Sequence, residues 1–295
     1  MEAENDAASS IPWLASIYSP QLNDTSYFGV PGLSNTGLSN TANFRIKEHN
    51  FLELGPRYNI TFVCSGILLD RLTIITASKC YYQKNTEALP KVFVRFGNMN
   101  VSNAVGTVTD DEVNIHYTDV LKVRHYFSEN QKSGLVFLRL KEQVPLGSNI
   151  QPLCLPAQNY SPKDKEKCFI TGWDKNSTLL KWRAVKIEST DSCSSVEDSD
   201  PFLLFSSTSV SKNETICTSN PKGPCIINQG GPLICIKDGT PILVGVFTGT
   251  ECPSSSKPLT FKKIEPLLGW IYPSMVIHYT RHIIALRITI QNDVS

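Results

Sequence analysis

The stretch Cys225-Ile-Ile-Asn-Gln-Gly-Gly-Pro-Leu-Ile-Cys235 places a Gly-Gly-Pro turn before a short apolar run that ends in a cysteine. Gly and Pro interrupt regular structure, and an aliphatic run bounded by such residues is typical of a β-strand. A second apolar run, Ile242–Thr248, follows after a Lys-Asp-Gly segment. This part of the chain therefore predicts two β-strands, Pro232–Ile236 and Ile242–Thr248.

The same pattern extends toward the N-terminus. Further runs rich in Val, Ile, Leu, Phe and Thr, each bounded by turn-forming residues, occur at Trp13–Tyr18, Ile60–Leu69, Thr73–Thr76, Lys91–Phe96, Val120–His125, Leu135–Leu140, Phe169–Trp173 and Ala184–Ile187. Strands do not alternate with helical patterns, which argues against a parallel α/β fold. Helical spacing of apolar residues occurs over Ile264–Tyr272. The sequence predicts an all-β fold with one helix near the end.

Composition excludes several classes of protein. The chain has 295 residues, 41% of them hydrophobic and 19% charged, so it is globular and holds one large all-β unit or two modest domains. Lys plus Arg total 28 against 27 acids, so we expect no nucleic-acid partner. No set of Cys and His has zinc-ligand spacing, so we expect neither a metal nor a cofactor.

Cysteines and glycosylation sequons indicate the compartment. The chain has nine cysteines. Six Asn-X-Ser/Thr acceptor sequences occur, at Asn23, Asn59, Asn100, Asn159, Asn176 and Asn213. Together they predict a secreted or cell-surface glycoprotein with oxidised cysteines. Residues Met1–Ser10 are small and acidic, unlike a signal peptide, so either the true N-terminus is missing or export is not encoded here.

Three segments, read in order, carry a family resemblance. They are Phe62-Val-Cys-Ser-Gly-Ile-Leu-Leu69 with Ile74-Ile-Thr-Ala-Ser-Lys-Cys80, then Ser133-Gly-Leu-Val-Phe-Leu-Arg-Leu140, then the Cys225–Cys235 stretch. They resemble the "CGGSL…LTAAHC", "DIALLKL" and "CxGDSGGPLxC" motifs of the trypsin/chymotrypsin serine proteases. The resemblance implies two antiparallel six-stranded β-barrels of the chymotrypsin type, followed by a C-terminal helix.

The same resemblance implies a division of the chain. Residues 1–11 form an N-terminal segment without an activation motif, 12–272 a trypsin-like peptidase domain, and 273–295 a C-terminal extension. Residues 23–59 are a long loop insertion, rich in Ser, Asn, Gly and Thr, that contains a tandem GLSNT repeat. This insertion is either a mobile duplication or a loop that contacts a partner.

Carrying over the family's disulfides position by position implies the pairs Cys64–Cys80, Cys168–Cys235, Cys193–Cys217 and Cys225–Cys252. Cys154 is left unpaired. Its counterpart in two-chain family members tethers a pro-segment, but no partner cysteine precedes Cys64 here. Cys154 is therefore a free thiol, or it is bonded to a missing segment or to another chain.

The catalytic positions of the family are changed in this chain. Acyl transfer by the family needs a serine hydroxyl, a histidine that takes its proton and a carboxylate that orients the histidine. The matching residues are Gln229, Lys79 and Gly134. A carboxamide is not a nucleophile, and glycine has no side chain. From these replacements we predict that the chain is not an enzyme, although it resembles trypsin-like endopeptidases.

Neighbouring positions are changed as well. Ile227 stands where a glycine supplies a donor to the oxyanion pocket, and Asn228 where an acid pairs with the freed N-terminus. The specificity-pocket positions match Gly223, Gly249 and Leu259, and we expect the leucine to fill the space of a substrate side chain.

Three functions remain open at this point. The first is an extracellular protein-binding or regulatory module whose partner is an unidentified protein, with a disulfide partner at Cys154. The second is weak hydrolysis by a substitute site. The third is a degenerate family member without a role.

Overall fold

A computed structural model of the chain describes residues 11–22, 58–81, 92–97, 116–126, 134–163, 166–173, 180–189, 214–220, 223, 225–249, 252 and 257–275. The described part is built almost wholly from antiparallel strands, which confirms the predicted all-β class. Most of the loop insertion and most of the C-terminal extension lie outside the described residues.

The N-terminal half forms a closed six-stranded barrel with the strand order β1-β2-β3-β6-β5-β4. The strands are β1 (Leu14–Leu22), β2 (Tyr58–Asp70), β3 (Thr73–Ala77), β4 (Phe93–Phe96), β5 (His116–Tyr126) and β6 (Leu135–Leu140). Every pairing is antiparallel. Strand β2 begins at Tyr58, within the predicted insertion, because its ladder with β1 continues from the pair Tyr18–Phe62 to the pair Leu22–Tyr58.

The C-terminal half forms a second antiparallel sheet, with the order β8-β7-β11-β12-β13-β10-β9. Its strands are β7 (Cys168–Trp173), β8 (Leu180–Val185), β9 (Ile187–Glu188), β10 (Thr215–Thr218), β11 (Pro232–Lys237), β12 (Thr240–Phe247) and β13 (Leu259–Lys263). This sheet has seven strands where six were expected. The extra strand arises because Lys186 interrupts the predicted Ala184–Ile187 strand and divides the segment between β8 and β9.

Residues 64–69 of β2, all of β3 and most of β6 are buried on both faces, because side chains alternate between two hydrophobic clusters. On β3, Ile74 faces the interior of the first barrel, whereas Ile75 packs against Ile234 and Leu243 of the second sheet. All five residues of β3 are buried. Burial on both faces explains why these strands are nearly continuous apolar runs in the sequence.

A C-terminal helix closes the interface between the two sheets. A 3-10 turn, Glu265–Leu267, leads into a helix over 268–275, so the α-helix begins later than the predicted Ile264–Tyr272. Pro266 lies in this first turn, where its missing N–H costs no helical hydrogen bond. Trp270 stacks on Phe137 of β6 with ring centroids 4.4 Å apart.

The predicted apolar stripe of this helix is confirmed, since Ile264, Leu267, Leu268 and Ile271 are all buried in the cluster between the sheets. Among the described residues, no helix is both long and apolar enough to cross a membrane.

Candidate functional site

The structure brings Lys79, Gly134 and Gln229 together where the two sheets meet. Lys79 lies in the 3-10 turn Ser78–Cys80 that follows β3, and Gly134 immediately precedes β6. The backbone N–H of Ser78 donates a hydrogen bond of 2.9 Å to the carbonyl oxygen of Gly134. The pairing of β3 with β6 therefore holds the first two positions side by side.

Gln229 reaches the same place from the second sheet, in the turn before β11. Its carbonyl oxygen accepts a 2.9 Å hydrogen bond from the N–H of Ser65 on β2. Its side-chain Oε1 lies 3.7 Å from Cys64 Sγ, and Cys64 is bonded to Cys80, the residue after Lys79. Three residues far apart in sequence are thus held close together at this junction.

The side chains at this surface are an amide and an ammonium. Gln229 is half-buried, and its Nε2 donates a 3.4 Å hydrogen bond to the carbonyl oxygen of Thr248. Lys79 is exposed, while Gly134 is buried. A carboxamide that is conjugated with its own carbonyl does not attack a peptide bond. Any acyl transfer at this surface therefore needs a nucleophile other than Gln229.

A buried loop carries the position predicted for the oxyanion donor. Ile227 has a negative φ and is almost completely buried, beside Ile226. A β-branched residue is strongly disfavoured at the positive φ that glycine adopts, so this backbone conformation is the one expected for isoleucine. That the Ile227 N–H is turned away from the oxyanion pocket stays a prediction.

Apolar side chains fill the region around Leu259. This residue is fully buried and belongs to one cluster with Ile226, Phe247 and Phe261, the two rings being 5.6 Å apart. The ring of Phe247 also covers Gly249, since a Cβ added there would lie 2.7 Å from Phe247 Cζ. The expectation that Leu259 occupies space is consistent with this packing. The sequence did not indicate that Phe247 and Phe261 pack around Leu259. Phe247 lies on a predicted strand, whereas Phe261 lies on β13, which was not predicted.

The third position of the predicted specificity pocket is different. Gly223 is exposed, has φ +105°, and lies beside the guanidinium of Arg183, which would be 3.1 Å from an added Cβ. The structure therefore does not bring Gly223 into the buried cluster with Leu259.

Disulfide bonds link Cys64–Cys80, Cys168–Cys235 and Cys225–Cys252, as the resemblance implied. Cys217 is also disulfide-bonded, and its predicted partner Cys193 lies outside the described residues. Cys154 is a free, exposed thiol. Its carbonyl oxygen accepts a 2.9 Å hydrogen bond from Leu243, which fixes the segment that carries the thiol on the second sheet.

Two of the six predicted glycosylation sites fall in the described part of the chain. Asn159 is exposed in a turn, with φ +62° and its N–H bonded to Glu265 Oε1 at 2.8 Å. Asn59 lies on β2. The other four, Asn23, Asn100, Asn176 and Asn213, lie outside the described residues.

Comparison with known proteins establishes the class. The family model described as Trypsin matches residues 46–271, which is more than half of the chain, so the chain belongs to the trypsin family. It is also similar to the urokinase-type plasminogen activator of Gallus gallus, with 26% identity over 233 residues. That alignment covers 75% of this chain and 52% of the relative, so the chain spans about half the length of the curated relative that it matches.

The prediction that the chain is not an enzyme is wrong in the light of these comparisons. Membership of the trypsin family and similarity to a plasminogen activator point to a serine protease. The prediction depended on three side chains, those expected at the Lys79, Gly134 and Gln229 positions. Their replacement removes specific chemical groups, but by itself it does not show that the domain has lost catalysis.

Proposed function

We propose that this trypsin-family domain acts outside the cell by binding another protein at the surface where the two sheets meet. The observation that carries the proposal is the set of groups on that surface. Exposed Lys79 and half-buried Gln229 lie beside Cys64–Cys80, and Val63, the residue before Cys64, is 38% exposed. We call Val63, Lys79 and Gln229 the binding face.

These groups suit protein recognition. The exposed aliphatic side chain offers apolar surface that a partner can bury, and the ammonium offers charge complementarity. The carboxamide both donates and accepts hydrogen bonds. The framework beneath the face is rigid, because the Cys64–Cys80 disulfide and the Ser65–Gln229 hydrogen bond hold it. A rigid face loses little conformational entropy on binding.

Secretion and glycosylation belong to the same proposal. Its support is the set of three disulfides in the described residues, since disulfides form and persist in oxidising compartments. Mass spectrometry of the chain recovered from its native source tests it. Reduced cysteines at these pairs in a chain recovered from its native source would contradict it, as would unmodified Asn at all six sequons.

We further propose that exposed Cys154 forms a disulfide with another chain. A thiol held on a rigid sheet in an oxidising compartment is available for such pairing. Non-reducing electrophoresis of the chain from its native source should show a larger species that disappears on reduction and in the Cys154→Ser variant. A single species with free Cys154 would refute this part.

Binding is tested with a matched pair of variants. Labelled full-length chain should bind saturably to cells or extracellular fluid from the source tissue, and Val63→Asp should weaken that binding by about 10-fold or more. The control is Leu146→Asp, because Leu146 is 39% exposed and lies outside the binding face. Absence of saturable binding, or equal losses in both variants, would contradict the proposed function.

Hydrolysis of peptides is a second candidate, favoured by membership of the trypsin family. A peptide library and a fluorophosphonate probe, which reacts with an activated serine, test it directly. If turnover occurs, Gln229→Ala should leave it within about twofold, because a carboxamide is not the nucleophile. A single substitution elsewhere that abolishes both labelling and turnover would identify the group responsible.

A further inference from the structure

The side chain of Asn228 pairs with the main chain of Trp173 at two points. Its Oδ1 accepts a 2.7 Å hydrogen bond from the Trp173 N–H, and its Nδ2 donates a 2.9 Å hydrogen bond to the Trp173 carbonyl oxygen. A carboxamide has both a donor and an acceptor, so it can satisfy both groups of one peptide residue.

These two hydrogen bonds lie beyond the end of the backbone ladder between β7 and β11. The register between β7 and β11 runs from Cys168 opposite Cys235 to Ile170 opposite Leu233. Trp173 lies beyond that register, with its backbone groups directed at Asn228. The carboxamide therefore supplies the donor and acceptor that a neighbouring strand would otherwise supply.

Gly172 makes the approach possible. A Cβ at this position would lie 2.6 Å from Asn228 Oδ1 and 2.2 Å from the carbonyl oxygen of Ile226. Both distances are well inside van der Waals contact, so any side chain at Gly172 would separate the two segments. The hydrogen bonds between Asn228 and Trp173 therefore require a residue without a side chain at position 172.

The paired residue lies in the loop 225–229, which carries Gln229. On one side of Asn228, Ile226 and Ile227 are buried in the second cluster. On the other side, the Gln229 carbonyl oxygen is bonded to Ser65. The two hydrogen bonds to Trp173 lie between these two anchors and hold Asn228 against β7, next to Gln229.

We infer that Asn228 is a positioning residue, an uncharged clasp that holds the loop 225–229 against β7 without any ion pair. The described contacts of its carboxamide come from Ser65 on β2 and from Gly172 and Trp173 on β7, and none of these residues carries a charge. The hydrogen bonds of the Asn228 carboxamide therefore do not depend on the ionisation of any of these residues. This inference stands apart from the proposed function, because it concerns the loop whether or not a partner binds.

The first test replaces the carboxamide by a carboxyl group. In Asn228→Asp, the carboxylate loses the donor that faced the Trp173 carbonyl oxygen, while the protonated acid keeps one. The pKa of the new acid in the folded state should therefore lie above the ordinary aspartate value of about 3.9. Stability is then retained below about pH 4 and lost as pH rises through the folded-state pKa.

We expect the unfolding equilibrium constant of Asn228→Asp, relative to the unchanged chain, to be about 10-fold or more larger at pH 7.5 than at pH 4. The control is Gln158→Glu, which adds the same charge at an exposed position. Its relative unfolding constant should change by less than about threefold over the same range. A pH profile of Asn228→Asp that coincides with that of Gln158→Glu would overturn the inference.

The second test uses Asn228→Ala, which removes both hydrogen bonds without adding charge. Hydrogen exchange at the Trp173 amide should accelerate by about 10- to 100-fold, while exchange at Phe169, whose amide faces β11 opposite Ile234, stays unchanged. This measurement also decides the matter if the aspartate variant does not fold. Equal acceleration at both amides, or none at Trp173, would show that Asn228 does not act as a clasp.

Discussion

Replacing Gly230 by alanine should strongly destabilise the domain. Gly230 has φ +80° and lies in the turn after Gln229, against β2 and β3 of the first barrel. A Cβ at this position would be 2.1 Å from the Ser65 carbonyl oxygen and 2.1 Å from Thr76 Oγ1. These two atoms are hydrogen-bonded to each other, because Thr76 Oγ1 donates a 2.6 Å hydrogen bond to the Ser65 carbonyl oxygen.

The size of the effect follows from three contributions. An L-residue in the left-handed region costs about 1–2 kcal/mol. Forcing a methyl group into a packed contact costs about 1–3 kcal/mol. Loss of the Thr76–Ser65 hydrogen bond adds about 0.5–1.5 kcal/mol. The Gly230→Ala variant should therefore lose roughly 2.5–6.5 kcal/mol, a large part of the ~5–15 kcal/mol that stabilises a typical domain.

Gly239 provides the matched control. It has φ +79° in the turn between β11 and β12, but no atom lies within 4 Å of an added Cβ. Gly239→Ala should therefore lose only the conformational part, about 1–2 kcal/mol. Both free energies come from urea unfolding followed by tryptophan fluorescence, with the disulfides intact. Equal losses in the two variants would refute the argument that close contact with Ser65 and Thr76 of the first barrel makes Gly230 necessary.

Three further predictions concern the second sheet. Leu259→Ala should destabilise the domain by about 2–5 kcal/mol in chemical unfolding, because the leucine is fully buried and its removal leaves a cavity. Glu214→Gln should cost about 1–3 kcal/mol, because it replaces the carboxylate that pairs with the buried ammonium of Lys262 by a neutral amide. Burial is the larger cause that raises the pKa of Tyr160 above its ordinary value of 10, and the hydrogen bond to Glu166 is the next. The stability of the domain should therefore fall as pH rises above about 10, and Tyr160→Phe should abolish that part of the pH dependence.

Each of these predictions has its own check. For Leu259, an exposed leucine at 146 should tolerate alanine with a change below about 0.5 kcal/mol, and similar losses at both sites would contradict the cavity argument. For Glu214, the control is Glu265→Gln, whose partner Lys263 is 3.9 Å away and more exposed. For Tyr160, an absorbance titration should show one phenol fewer that ionises late in the variant; an unchanged titration would refute the assignment.

Much of the fold was predictable from the sequence. Strand β6 was predicted with the same bounds, and β3 and β11 to within one residue, because each is an apolar run with a clear turn on both sides. The three disulfides in the described residues were also expected, since the resemblance supplied the pairing. These features depend on a local residue pattern or on a family resemblance, and both can be recognised in the amino-acid sequence alone.

Strands β10 and β13 were not predicted. Thr215–Thr218 is short, and Leu259–Lys263 contains two lysines, so neither has a strong strand pattern. They form because they pair with each other, and because Glu214 neutralises the buried Lys262. Such long-range pairing overrides weak local preference.

The amino-acid sequence by itself determined which chemical groups occupy the site: an amide at 229, an ammonium at 79 and no side chain at 134. It also carried the framework by which the chain belongs to the trypsin family. Only the tertiary structure decided that Phe247 and Phe261 close around Leu259, that Gly223 stays outside this cluster, and that Asn228 completes the backbone of Trp173. The physical reason is that residue identity is local, whereas burial and hydrogen-bond partners depend on segments far apart in sequence that meet only when both sheets have formed.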